Sequence, residues 1–323
     1  MSFSSKTKNE LSRLICKEKC CYFAELIGIV YFAGMIKDHT SNIYLRINTE
    51  NASVARRIFN LVKWSFGVHT TVGIKRNKSS KHMHSYSLYI KDKESLVKIF
   101  KTLGRKKNDK AIADRMDLRI NHEWVQSPCC KKAFIRGAFL GGGSITDPEK
   151  TYHFEFVTRY RLLSEDFCEF LSAFELQAKI IVRKSNYVIY FKGSEYIVDL
   201  LNIMGAHKSL LQLENIRVMK EMRNNVNRIV NCETANLEKT VNASMRQIQN
   251  IAFIQNTLGI EKLPKNLQEI AKLRLEFKEA TLKELGEMLS PPVGKSGVNH
   301  RLRKLQNIAE ELKEKSQNGI NIT

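Results

Sequence analysis

The sequence predicts an α+β protein in which a pseudo-twofold domain of two αββαββα-type repeats is followed by an all-α domain. Three observations predict this class. An apolar, glycine-bearing helical segment occurs twice, at residues 26–34 and 135–143. After each copy, a strand, a helix, two strands and a helix follow in the same order. From about Lys208 onward, apolar residues recur at helical spacing throughout.

The first repeat is predicted at about residues 22–104, after an N-terminal helical extension at 1–21. Alternating β-branched and aromatic residues indicate its strands, and apolar residues three and four positions apart indicate its helices. Gly104 is expected to cap the last helix. The predicted elements are, in order, a strand at 43–49, a helix at 51–66, strands at 68–76 and 84–92, and a helix at 93–104.

The second repeat is predicted at about residues 132–205 and completes a domain of residues 22–207. Gly205 is expected to cap its last helix. Because five elements recur in order after the same glycine-bearing helix, chance likeness between two α/β segments is the weaker explanation. The predicted elements are a strand at 153–159, a helix at 161–176, strands at 178–184 and 186–193, and a helix at 194–205.

The glycines inside the two repeated helices need a physical reason. Each costs about 1 kcal/mol relative to alanine in a helix. Close approach of two helix backbones supplies that reason, since glycine has no Cβ. We therefore expect Gly28, Gly137 and Gly141 to lie where the two helices touch. The alternative is a buried core helix with incidental glycines.

Helices alone are predicted beyond residue 207. Residues 208–234 are expected to form an interdomain helix and a hinge, with the hinge at 225–233. Residues 235–323 are expected to form the helical domain, and Pro264 suits the start of one of its helices. The predicted helices that precede residue 280 lie at 210–224, 235–258 and 265–277.

Residues of about 281–314 have the pattern of a helix-turn-helix, with helices predicted at 281–289 and 296–315. Ser296 is expected to cap the second helix. In such motifs the start of the second helix contacts base edges, and flanking basic residues hold phosphates. The alternative is a plain helical hairpin with a solvated basic face. The DNA-binding candidates are Lys295, Ser296, Asn299, His300, Arg301, Arg303 and Lys304.

The charge of the chain favours a polyanionic partner. Its formal net charge is +20 and its pI is near 9.6. Residues 51–91 contain no acidic residue, whereas residues 281–323 hold 7 basic and 5 acidic residues. We therefore expect the first domain to supply sequence-tolerant phosphate contacts and the C-terminal helix to supply specificity. The phosphate-contact candidates are Arg56, Arg57, Lys75, Arg76, Lys78 and Lys81.

The seven cysteines predict neither a metal site nor a disulfide framework. The adjacent pairs Cys20-Cys21 and Cys129-Cys130 lack zinc-finger spacing. We expect reduced thiols that pack mostly as small hydrophobic side chains, and we expect no cofactor.

The compartment is predicted to be the cytoplasm, in association with the nucleoid. The N-terminal segment lacks the apolar region of a secretory signal. The apolar stretch at residues 22–36 is too short to span a bilayer and contains Glu25. No membrane partner is expected.

The two glycine-bearing segments resemble the LAGLIDADG motif of homing endonucleases. The resemblance implies two helices packed side by side, each ending in a metal-binding aspartate. Here the corresponding positions hold Ala33 and Gly142, which cannot hold Mg²⁺, a cation that needs oxygen ligands. Asp38 and Asp147 lie four residues beyond the last motif glycines, and we expect turn roles for both, with metal binding as the alternative.

Several segments in order resemble the WhiA family of Gram-positive bacteria over nearly the whole chain. They include residues 2–5, residues 139–153 and residues 227–240. The resemblance implies a transcription regulator linked to cell division and chromosome segregation, and to sporulation in mycelial actinobacteria. It also implies a C-terminal domain similar to the promoter-reading domain of sigma factors. Another transcription regulator or RNA polymerase is an open further partner.

The favoured hypothesis is a non-catalytic regulator that binds double-stranded DNA. An active endonuclease or maturase is one alternative, and it would need a carboxylate at position 33 or 142, where the sequence has none. An RNA- or ribosome-binding protein is the other alternative, because the predicted sheets and their lysines could also bind RNA.

Overall fold

The computed structural model describes residues 1–16, 18–39, 42–76, 84–103 and 118–317. It divides into two compact units, Met1–Lys220 and Glu221–Thr323. The first is mixed helix and strand and the second is helical, so the predicted fold class is confirmed.

The first unit begins with an N-terminal helix and the first repeat. Helix α1 (Phe3–Leu11) is capped by Ser2, whose hydroxyl accepts a hydrogen bond from the Ser5 N–H at 3.2 Å. The repeat then follows the predicted αββαββα order, and its first strand, directly after the glycine-bearing helix, was not among the elements placed from the sequence. Its elements are α2 (Lys19–Ala33), β1 (Gly34–His39), β2 (Asn42–Thr49), α3 (Ala52–Phe66), β3 (Thr71–Arg76), β4 (His84–Ile90) and α4 (Lys93–Thr102).

The second repeat has the same order of elements. Gly205 takes the left-handed conformation at the end of its last helix, as predicted, while Gly104 lies outside the described residues. The elements are α5 (Pro128–Gly142), β5 (Gly143–Ile145), β6 (Phe154–Thr158), α6 (Arg161–Ser172), β7 (Lys179–Arg183), β8 (Asn186–Phe191) and α7 (Ser194–Met204).

Each repeat contributes one four-stranded antiparallel sheet. The strand orders are β1-β2-β4-β3 and β5-β6-β8-β7, so the two sheets have the same topology. Side chains alternate between the two faces of a strand. In β2, Leu45 and Ile47 are fully buried, whereas Tyr44 and Arg46 lie on the opposite face. We call the face that carries Tyr44 and Arg46, and its equivalent in the second repeat, the outer faces.

The two glycine-bearing helices, α2 and α5, pack directly against each other, as predicted. A Cβ on Gly28 would collide with the Phe134 carbonyl oxygen, and one on Gly137 would collide with the Glu25 carbonyl oxygen. At Gly141 the contact is looser, 3.0 Å from the Ile29 carbonyl oxygen. The backbones therefore touch at positions where only glycine fits without displacement.

A buried ion-pair network joins the two repeats beside this contact. Glu25 of α2 is fully buried and accepts hydrogen bonds from Arg57 of α3 at 2.7 and 2.8 Å. Arg136 of α5 donates to the same carboxylate at 2.9 Å and to the Met204 carbonyl at 3.2 Å. Two guanidinium groups thus compensate one carboxylate, which is how a buried charge is accommodated.

Helix α8 (His207–Thr257) runs through the predicted hinge, so that prediction is wrong. Residues 225–233 are helical, and the helix is continuous for 51 residues. The segment is rich in asparagine but has neither proline nor glycine. Asparagine lowers helix stability by less than about 1 kcal/mol per residue, so it does not by itself end a helix.

The second unit packs three further helices against the end of α8. They are α9 (Lys265–Glu276), α10 (Leu282–Glu287) and α11 (Lys295–Gln317). Their core contains Ile254 and Ile270, both fully buried, together with apolar residues of α10 and α11.

Candidate nucleic-acid interface

Helices α10 and α11 form the predicted helix-turn-helix pair. A capping box starts α10: the Thr281 hydroxyl accepts from the Glu284 N–H at 3.3 Å, and the Glu284 carboxylate accepts from the Thr281 N–H at 2.7 Å. Helix α11 begins at Lys295, one residue before the predicted cap. The expected capping role of Ser296 is therefore wrong, because Ser296 lies inside the first turn.

One face of α11 holds the helical unit together. Val298, Leu302 and Leu305 are at most 3% exposed, and Leu285 and Leu289 on the preceding segment are equally buried. The helical spacing of apolar residues predicted beyond residue 208 is thus confirmed in these two helices. The opposite side of the first three turns is solvent-exposed and polar. Its exposed candidates are Lys295, Ser296, Asn299, His300, Arg303 and Lys304.

Arg301 differs from the other candidates. Its side chain is only 22% exposed and lies 3.9 Å from the Glu269 carboxylate of α9. It also donates to the Asn266 carbonyl oxygen at 3.4 Å. The residue therefore braces α11 against α9 and is less available to an external partner than its neighbours.

The basic residues predicted to contact phosphates lie on different elements of the first repeat. Lys75 is exposed in β3 and pairs with Ser85, on the outer face. Arg56 is exposed on α3, which packs against β2 and β4. Of Arg76 the structure describes the backbone, which pairs with His84 in β3. Lys78 and Lys81 lie outside the described residues.

Arg57 is buried and does not have the phosphate-binding role predicted for it. Its side chain is 3% exposed and both sides of its guanidinium fork contact the buried Glu25 carboxylate. The predicted phosphate contact is therefore wrong, because the guanidinium is enclosed in the core and already paired. A basic residue in an acid-free stretch can still have its partner elsewhere in the chain.

The strand register reveals basic residues that the charge count missed. Lys37 is exposed and pairs with Tyr44, and Arg46 pairs with Met35, so both share the outer face with Lys75. In the second sheet the exposed Lys179 and Arg183 occupy the equivalent face. Alternation within β1, β2 and β7 is the sequence signal that could have identified them.

The second outer face also carries one acid. Glu155 of β6 accepts a hydrogen bond from the Ser144 hydroxyl at 3.0 Å, and its carboxylate lies 3.1 Å from the His153 ring nitrogen. The outer face of the second repeat is therefore less uniformly basic than that of the first.

The positions of the lost acids lie at the C-terminal ends of α2 and α5. Ala33 and Gly142 are the last residues of these helices, and a Cβ on Gly141 would stand 3.4 Å from the Ala33 Cβ. A Cβ on Gly142 would lie 2.7 Å from the Val157 carbonyl oxygen. Position 142 therefore lacks a carboxylate and also lacks room for one without a backbone shift.

The two nearby aspartates have different surroundings. Asp147 is exposed, and its carboxylate accepts a hydrogen bond from the Glu149 N–H at 3.1 Å, as predicted for a turn residue. Asp38 lies in β1, paired with Ile43, rather than in the predicted turn.

No helix in the described part of the chain has the length and apolarity needed to cross a bilayer.

Comparison with known proteins identifies each part of the chain. Residues 19–104 match the WhiA N-terminal LAGLIDADG-like domain and residues 131–223 match the WhiA LAGLIDADG-like domain. Residues 226–309 match the WhiA C-terminal HTH domain.

Relatives cover the whole length. The chain is 52% identical over 319 residues to the "Probable cell division protein WhiA" of Alkaliphilus metalliredigens, covering 98% of this chain and 100% of that protein. It is 48% identical over 314 residues to the protein of the same name from Clostridium botulinum, covering 97% and 99%. The crystal structure of full-length DUF199/WhiA from Thermatoga maritima superposes with a TM-score of 0.58 at 26% identity, covering 96% of this chain and 99% of that chain. The chain therefore belongs to the WhiA family.

Proposed function

We propose that this protein is a non-catalytic regulator of transcription that binds double-stranded DNA and acts in cell division and chromosome segregation. The observation that carries the proposal is the exposed polar side of α11, opposite a fully buried apolar stripe. A helix held on one side and polar on the other can enter the major groove without disturbing its own fold. The names of the relatives support the link to cell division.

Reading of bases is assigned to the first turns of α11. Asn299 and Arg303 lie one helical turn apart on the exposed side. An asparagine side chain can pair with the adenine edge, and an arginine can make two hydrogen bonds to guanine. Lys295 and Lys304 flank them and suit contacts to phosphates, which position the helix without reading sequence.

Attraction to the DNA backbone is assigned to the outer faces of the two sheets. Lys37 and Lys75 lie on one face, and Lys179 and Arg183 lie on the other. Each phosphate contact releases counterions, so such a surface binds many sequences and depends on salt. Specificity and long-range attraction would then reside in different units of the chain.

We infer the loss of metal-dependent nuclease activity from the residues at positions 33 and 142. Hydrolysis of a phosphodiester by metal ions needs ligands that hold the ions at the scissile phosphate. Ala33 and Gly142 offer none, and the Val157 carbonyl oxygen occupies the space that a side chain at 142 would need. Action at the nucleoid, with RNA polymerase or a second regulator as further partner, belongs to the same proposal.

Substitution of the reading residues tests the proposal. We expect Asn299→Ala and Arg303→Ala each to weaken binding to the target duplex by about 5- to 150-fold, while binding to random duplex changes little. Lys315→Ala, at the other end of α11, is the matched control and should leave the preference unchanged. Equal losses on both duplexes would mean that α11 reads no bases.

The salt dependence tests the outer face separately. Neutralising Lys37 and Lys75 to glutamine should flatten the slope of log affinity against log salt by up to about 1.8, with target preference preserved. The control is Lys93→Gln with Lys101→Gln, two exposed lysines of α4 that lie off the sheet. An equal flattening in the control would show that net charge alone, and not the outer face, sets the slope.

A further inference from the structure

Four cysteines from the two repeats meet at the start of α2 and α5. Cys20 and Cys21 occupy the second and third positions of α2, and Cys129 and Cys130 occupy the same positions of α5. All four Sγ atoms lie within 4.8 Å of one another, and we call these four residues the tetrad. Among the described residues, this is the cluster of side chains suited to hold a metal ion. Cys21 and Cys130 are buried, as expected for small hydrophobic side chains, whereas Cys20 and Cys129 are exposed.

The size of the cluster suits one tetrahedral ion. Zinc bonds thiolate sulfur at about 2.3 Å, which places the four sulfurs of a regular tetrahedron about 3.8 Å apart. The observed spread of 4.8 Å needs only small side-chain adjustment to reach that geometry. An iron–sulfur cluster places several metal ions between its cysteines and needs a wider arrangement. The spacing therefore favours a single ion over a cluster.

The four thiols are close enough to change one another's pKa. Burial, with the Cys129 thiol next, raises the pKa of Cys21, and burial with the Cys20 thiol raises the pKa of Cys130 to about 12. A hydrogen bond from the Cys21 thiol lowers the pKa of Cys129. A divalent cation that binds such a group deprotonates the thiols that coordinate it.

The surroundings supply further positive potential. The tetrad lies at two helix N-termini, where the backbone N–H groups and the helix dipole stabilise negative charge. Lys19 precedes one cysteine pair and Lys131 follows the other. Four thiolates and one divalent ion carry two net negative charges, which these groups partly offset.

We propose that Cys20, Cys21, Cys129 and Cys130 bind one Zn²⁺ ion in a structural site that clamps the two repeats together. All four coordination positions are filled by protein sulfur, so no open position remains for a substrate or water. Binding releases the thiol protons to solvent and involves no change of oxidation state. The inference is independent of the proposed DNA binding.

The site lies far from the positions of the lost acids. Cys20 and Ala33 are 13 residues apart in one helix, which corresponds to about 20 Å at 1.5 Å per residue. Soft thiolates select zinc, whereas the ions of a nuclease need hard oxygen ligands. The tetrad is therefore a clamp at one end of the α2–α5 pair and no remnant of a nuclease centre at the other.

Metal analysis of the full chain, purified under reducing conditions, tests the proposal. We expect about one zinc ion per chain, directly or after addition of zinc to the reduced protein. Cys20→Ser and Cys129→Ser change exposed side chains and should preserve the core while weakening zinc binding by more than about 10-fold. Cys232→Ser alters an exposed cysteine of α8 and should retain the ion. Co²⁺ should give the visible absorption of a tetrahedral thiolate site, and zinc should displace it.

Several outcomes would overturn the proposal. The reduced wild-type chain could bind neither Zn²⁺ nor Co²⁺ while all four thiols react with a thiol reagent. Mass spectrometry could instead find disulfides within the tetrad and no metal after reduction. Iron in place of zinc, or full zinc content in both serine variants, would equally exclude the proposed site.

Discussion

The contact between α2 and α5 makes a graded prediction for its glycines. Gly137→Ala would add a Cβ against the Glu25 carbonyl oxygen, a backbone atom that cannot rotate away. At Gly141 the same change meets the Ile29 carbonyl oxygen at 3.0 Å, a tight contact that a small shift relieves. The two variants thus make the same chemical change in the same helix, at different degrees of collision.

The magnitude follows from two opposing effects. Alanine is better than glycine in a helix by about 1 kcal/mol. Overpacking costs about 1–3 kcal/mol, and a collision with backbone belongs at or above the upper end. Gly137→Ala should therefore lower the free energy of unfolding by about 2 kcal/mol, and Gly141→Ala should change it little. A loss of 2 kcal/mol lowers Tm by about 4–8 °C in a unit of this size.

Thermal and urea unfolding of the full chain would measure both variants. Gly294→Ala is the control for glycine replacement itself, because no atom lies within 4 Å of its added Cβ. The reasoning is refuted if Gly137→Ala is as stable as wild type, or if Gly141→Ala is the more destabilised of the two.

Two further predictions concern the core and the lost chemistry. Glu25→Gln should lower the free energy of unfolding by about 3–5 kcal/mol in urea titrations, because it leaves Arg57 and Arg136 buried without their counter-charge. Glu165→Gln, in a surface pair, should cost less than about 1 kcal/mol, and equal losses would remove the special role of burial. Gly142→Asp should not produce Mg²⁺- or Mn²⁺-dependent DNA cleavage, because the added side chain collides with backbone; nicking in a plasmid assay would contradict this.

The sequence predicted those parts of the fold that leave a local signature. Glycines in an apolar helix indicated close packing, and Gly28, Gly137 and Gly141 all lie at the α2–α5 contact. Strand alternation and helical spacing placed most elements within a few residues of their observed bounds. The apolar stripe of α11 also predicted its exposed side, since a helix buries one face and exposes the other.

Features set by long-range contacts were missed. Arg57 is buried because its partner, Glu25, comes from another helix 32 residues earlier, which a count of local charge does not show. The cysteine tetrad draws two residues from each repeat, so no local spacing resembles a zinc motif. A signal was nevertheless present: each cysteine pair begins eight residues before the first motif glycine, at Cys20 and Cys129.

The most direct test of the central claim is genome-wide mapping of the nucleic acid crosslinked to this protein in cells, with separate DNA and RNA libraries. The account predicts discrete DNA sites that share a sequence motif. It also predicts loss of that motif when Asn299 and Arg303 are both changed to alanine, with diffuse DNA binding retained through the outer faces. Crosslinks to RNA without enriched DNA sites, or an unchanged DNA motif in the double variant, would contradict the account.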